Sequence, residues 1–189
     1  SASIVNNGGQ TRFEDRTTAA SSSLTANEDG YVRFSGTSTG ADARIVINEG
    51  GRVDFDGSST AGSAILTNNA YLRFGGDATA ANAEITLNED GVLAFRDSTD
   101  AGIARLTNSG LAGFFDSSSL AGSIVSNNAT GFLLFADDAD AGTTSFIGNS
   151  GTVVFADRST LADGAITNNA TGIVRFEDVA NAGTGFISS

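Results

Sequence analysis

The sequence predicts an all-β chain, a right-handed parallel β-helix (β-solenoid) of about nine coils of 19–21 residues. Three observations carry this. A phenylalanine recurs from end to end, as Phe13, Phe34, Phe55, Phe74, Phe95, Phe114, Phe135, Phe155 and Phe176, at intervals of 19 to 21. The residue two before it is apolar in every coil but the first: Thr11, then Val32, Val53, Leu72, Leu93, Ala112, Leu133, Val153 and Val174. That is the period-two signature of a strand with one buried face. Clusters of Gly and Asn come too often for a ten-residue helix, and Val, Ile, Phe and Thr are strand formers.

Each repeat opens on a turn. A glycine stands four residues before the marker Phe, as in Gly30, Gly51, Gly91, Gly131 and Gly172, with Ala70 as the exception. The expected reason is a backbone angle that only glycine adopts readily. The Phe-containing strand follows. Next comes a small polar arc, such as FDGSSTAG from Phe55, which keeps the cross-section narrow. A second, shorter strand is expected at apolar pairs such as Ala43 with Ile45 and Ala83 with Ile85. It ends at an asparagine: Asn6, Asn27, Asn48, Asn68, Asn88, Asn108, Asn128, Asn149 and Asn168. These are expected to form one column of stacked amides.

The repeat runs through residues 1–189 without a linker, so one domain is expected. The chain has no Cys, His, Met, Trp, Pro or Lys, and sets ten Arg against 22 acids for a net charge of -12. Thiol, zinc–cysteine and histidine acid–base chemistry are thereby excluded. The charge argues against nucleic acid or an anionic membrane surface as partner. No apolar run approaches the roughly 18 to 20 residues that cross a bilayer, so no membrane insertion of this segment is expected. The absence of an initiating Met fits a mature or excised piece.

The pattern in NEDGYVRF from Asn27 and SSTAGSAI from Ser58 resembles the passenger repeats of bacterial autotransporters, which are exported, adhesin-like surface proteins. The resemblance covers essentially the whole chain. It implies an extracellular, cell-surface location and a structural or adhesive role without catalysis, with a cell-surface or carbohydrate ligand as a possible partner. A self-assembling filament subunit is the alternative, and a carbohydrate-active enzyme a weaker one.

Four surface features are candidates for function. Asp97, Asp116, Asp137 and Asp157 recur two residues after the Phe and could offer oxygens to Ca²⁺. Gly36, Gly57 and Gly76 fill the same place in other coils, which favours a plain turn and no cofactor. Thr25, Thr67, Thr86, Thr107 and Thr167 suggest an ice-binding array, but Val46, Ser126 and Gly148 interrupt it. Carboxylate pairs for glycoside chemistry are uninformative among so many acids, and no repeat carries an insertion to wall a cleft.

The outward positions of the Phe strand say more. They begin polar, with Asp54 expected to stack between Arg33 and Arg73. From the middle of the chain they turn apolar: Val92, Leu111, Phe132, Leu134, Val154 and Ile173, with Phe115 beside them. Such a strip predicts self-association or packing against another part of the parent protein. The two ends lack recognisable caps, so open coil ends are a second route to self-association, head to tail.

Overall fold

The computed structural model describes residues 2–143 and 146–189. Two strands per coil alternate along the chain. One set is β1 (Ser3–Asn6), β3 (Ser23–Ala26), β5 (Arg44–Ile47), β7 (Ile65–Asn68), β9 (Glu84–Leu87), β11 (Arg105–Asn108), β13 (Ile124–Asn127), β15 (Phe146–Asn149), β17 (Ala165–Asn168) and β19 (Phe186–Ser188). The other is β2 (Gln10–Phe13), β4 (Tyr31–Phe34), β6 (Arg52–Phe55), β8 (Tyr71–Phe74), β10 (Val92–Phe95), β12 (Leu111–Phe114), β14 (Phe132–Phe135), β16 (Thr152–Phe155) and β18 (Ile173–Phe176). The odd strands form a 10-stranded sheet and the even strands a 9-stranded sheet, each strand pairing in parallel with its equivalent one coil away. Among the described residues no strand pairs with its chain neighbour, which is the topology of a solenoid.

The sheets enclose a core of one repeating section. Phe34 through Phe155 are fully buried at the inward end of the even strands. Successive rings stack at 4.5 to 5.0 Å between centroids and within 15° of parallel. That spacing is the strand-to-strand distance of a parallel sheet, so the backbone ladder itself imposes the stack. The odd strands supply inward residues such as Ile45 and Ile47. They begin later than the Ala43–Ile45 pair indicated: Ala43 is buried just ahead of β5.

Each coil has a third side besides the two sheets. The polar arc is a column of single parallel bridges running Thr18, Thr39, Thr60, Thr79, Asp100, Ser119, Asp140, Thr160, Asn181. Residues with positive φ flank it, Asp97 (61°) and its equivalents on one side and Ala41 (50°) and its equivalents on the other. Its inward residues are mostly small, such as Ala61, Ala80 and Ala101 with Ser38, Ser59 and Ser118, which brings this side close to the two sheets. Leu120 and Leu161 are buried where Ala61, Ala80, Ala101 and Ala141 stand in other coils; Leu120 lies in the coil with the small Ala112, Leu161 in the coil with Val153.

Coil length varies mainly at the corner between the sheets. Four residues join β3 to β4, β5 to β6, β9 to β10, β13 to β14 and β17 to β18, whereas two residues join β7 to β8, β11 to β12 and β15 to β16. The two 19-residue intervals and the 20-residue interval ending at Phe155 are the coils with the short corner. The glycine ending each corner needs a different explanation from the one its sequence suggested. Gly30, Gly51, Gly91, Gly131 and Gly172 do not have positive φ. A side chain there would strike the preceding coil: a Cβ on Gly91 would lie 2.6 Å from the Asn68 carbonyl oxygen, and one on Gly131 2.5 Å from that of Asn108. Close approach, rather than backbone angle, selects glycine.

Candidate interaction face

The corner asparagines form two columns, not one. Register places Asn6, Ala26, Ile47, Asn68, Leu87, Asn108, Asn127, Asn149 and Asn168 on the inner column. Asn27, Asn48, Asn88 and Asn128 belong to an outer column one residue later, together with Asn7 and Asn69. Within the inner column Asn108 Nδ2 donates to Asn127 Oδ1 at 2.7 Å, and Asn127 donates to Asn149 at 2.8 Å. In the outer column the direction reverses, Asn48 donating back to Asn27 at 2.7 Å. Asn–Asn dipeptides at 6–7, 68–69, 127–128 and 168–169 are the sequence signal of the doubled column.

The aspartate column is built as a turn. Asp97, Asp116, Asp137 and Asp157 have φ of 55 to 61°, and Gly36, Gly57 and Gly76 take the equivalent conformation at 67 to 69°. Each carboxylate accepts a backbone N–H from the coil before it: Gly76 to Asp97 at 2.8 Å, Asp97 to Asp116 and Asp116 to Asp137 at 3.0 Å. The threonines of the odd-strand sheet do line up in one column, but the outward column beside them includes Arg44, Glu84 and Arg105. That breaks the flat hydroxyl array. A depression of about 320 Å³ between successive corners is lined by Glu28, Glu49 and Gly50, two carboxylates with no third functional group.

The outer face of the 9-stranded sheet has two halves. In the first, Asp54 is 1% exposed and is gripped in a fork by Arg52 of its own strand, at 2.8 Å from Nε and 2.6 Å from Nη2. The Tyr31 hydroxyl donates to the same carboxylate at 2.9 Å. Burial and then this hydrogen bond to Asp54 push the Tyr31 hydroxyl up to about 12, since both disfavour the phenolate. The Arg52 guanidinium lies between two rings, 5.5 Å from Tyr31 and 5.1 Å from Tyr71. Arg33 and Arg73 are in register with Asp54 as expected, but their close partner is Asp56, at 3.0 and 2.8 Å, because Arg52 already occupies Asp54.

In the second half, Val92, Phe115, Phe132 and Leu134 are half-buried, and Leu111 and Ile173 are 40% and 43% exposed. Val154 departs from expectation. It is 5% exposed, a short side chain flanked in register by the longer Leu134 and Arg175. Phe115 lies over Gly113, where a Cβ would come within 2.5 Å of its ring, and the Arg96 guanidinium covers it at 4.4 Å from the centroid.

Charge is sorted between faces and corners. Seven of the ten arginines and two of the 22 acids lie in strands, so strands carry +5 and the remaining segments -17 of the net -12. Carboxylates favour turns, whereas an arginine stem packs along a sheet.

No protein-family profile matches the chain, and no curated protein matches it. Among solved structures it is similar to a TibC-catalysed, hyper-glycosylated TibA fragment at 14% identity, covering 100% of this chain and 97% of that one with a TM-score of 0.23. That likeness is too distant to carry an argument.

Proposed function

We propose that this chain is a non-catalytic structural or adhesive stalk segment of an exported bacterial surface protein. The observation behind the reading is the uninterrupted axial ladder: nine phenylalanine rings stack from Phe13 to Phe176, and both sheets pair coil to coil over the whole length. Such a rod holds its two ends apart at fixed distance, about 4.8 Å per coil, and displays side chains in axial columns. The repeat motif that resembles autotransporter passengers supports the surface location. A protein with His, Cys and Lys absent also has few groups suited to proton or acyl transfer.

The test is protease shaving of intact cells that make the full protein, read with an antibody to this segment. The reading expects loss of the epitope without lysis, and loss of attachment when the segment is deleted. An epitope protected until the cells are lysed would overturn it.

A further inference from the structure

The outer face of the 9-stranded sheet is self-complementary, and we propose that two copies of this chain pair through it with their rod axes parallel and their coils in register. The face presents two outward columns: Gln10, Tyr31, Arg52, Tyr71, Val92, Leu111, Phe132, Thr152, Ile173, and Arg12, Arg33, Asp54, Arg73, Ala94, Gly113, Leu134, Val154, Arg175. A two-fold axis along the rod keeps each coil opposite itself and exchanges the columns. Arg52 then faces the partner's Asp54, Tyr71 the partner's Arg73, and Phe132 the partner's Leu134. Leu111 faces the place where the Phe115 ring lies over Gly113. No position in this arrangement opposes like charges, and Val92, Leu111 and Phe132 meet apolar residues, while Ile173 lies against the partner's Arg175.

The other two-fold arrangement runs the rods antiparallel, which reverses coil order and keeps the columns. It places Arg12 on the partner's Arg175, two exposed like charges face to face, which is unfavourable. Area decides whether the apolar strip could act alone. Five coils of a four-residue strand cover roughly 300 Å² per copy, well short of a stable interface, whereas all nine cover roughly 550 Å², or about 1,100 Å² in total. The whole face is needed, and its occupant must carry arginine, tyrosine and aspartate followed by an apolar half in the same coil order. A second copy of the same face does so. The acidic corners repel each other, which leaves a sheet face as the place of approach.

This pairing stands separately from the stalk reading, because its readout is mass and cross-link pattern rather than surface exposure. Sedimentation equilibrium of the purified chain should show a species of twice 19.1 kDa. Leu111→Asp should weaken it at least tenfold, and so should Thr152→Arg at a half-buried polar position where folding is not at risk. Thr107→Asp on the other sheet should leave it unchanged. Since the chain has no cysteine, orientation can be read by mixing single-cysteine chains with a thiol linker of about 10 Å, the spacing of facing sheets. Phe132→Cys should link to Leu134→Cys. A monomer at millimolar concentration, a dimer indifferent to both Leu111→Asp and Thr152→Arg, or linkage of Phe132→Cys to Arg52→Cys would each overturn the proposal.

Discussion

The ring of Phe95 lies 4.7 Å from that of Phe114 and within 3° of parallel, each the direct strand partner of the other in neighbouring coils. Phe74 flanks Phe95 on the opposite side at 4.7 Å. Truncating Phe95 therefore removes a ring from the middle of a continuous stack and leaves a cavity that the two rigid neighbours cannot close. Phe95→Ala should cost about 3 to 5 kcal/mol. Arg96→Ala, which removes only the exposed guanidinium over Phe115, should cost about 0.5 to 1 kcal/mol. Denaturant titration of both variants checks the contrast, and equal midpoints would contradict the inside–outside assignment.

Glycine at the corner and glycine in a strand should respond oppositely to the same change. Gly131→Ala drives a methyl into the Asn108 carbonyl and the Asn127 amide, groups held by the inner asparagine column, and should destabilise by about 1 to 3 kcal/mol. Gly148→Ala meets nothing nearer than the Val125 carbonyl oxygen at 3.8 Å. It should stabilise by about 0.5 to 1 kcal/mol, because a glycine inside a strand costs conformational entropy. Thermal or denaturant midpoints moving in the same direction would refute the close-approach explanation.

Tyr31 gives the chain a distinct alkaline signature. Its hydroxyl is raised from 10.0 to about 12 in the folded state, so the fold favours the protonated phenol. The associated stability is fully present below about pH 10, where an unfolded tyrosine begins to ionise, and is lost as pH rises toward 12. Absorbance titration near 295 nm should show a tyrosinate step close to 12 that Tyr31→Phe abolishes. A step near 10 assigned to Tyr31 would show that its hydroxyl is neither buried on this face nor hydrogen-bonded to Asp54.

Much of the fold is legible in the sequence because a solenoid writes its geometry as a period. The Phe interval sets the coil, and alternation around Val53 or Leu133 sets the buried face. What escapes is whatever depends on how one coil meets the next. Asn27 and Asn68 look equivalent by position in their repeats, yet a corner of four residues follows Ala26 and one of two follows Asn68, and register assigns them to different columns. Gly131 reads as a turn glycine until the carbonyl beneath it is seen. The third side is hidden because single bridges leave no alternating run of their own. On the candidate face, outward direction is readable, but exposure is not. Val154 points out of the sheet and is nonetheless covered, since burial on a flat face depends on the length of the neighbours in the adjoining coils.

The account rests on the in-register stacking of coils, and a disulfide tests that register most directly. Thr86 and Thr107 are strand partners on the outer face of β9 and β11. Their Cα atoms stand at about 4.8 Å, inside the range of about 4.4 to 6.8 Å that a disulfide bridges. In a chain with no other cysteine, the double variant Thr86→Cys, Thr107→Cys should oxidise within the monomer and keep its β-rich circular dichroism. The pair Thr86→Cys, Leu106→Cys, whose side chains leave opposite faces of the sheet, should stay reduced. Oxidation of the second pair and not the first would mean that the coils are stacked one residue out of the register described, with every core and surface position exchanged.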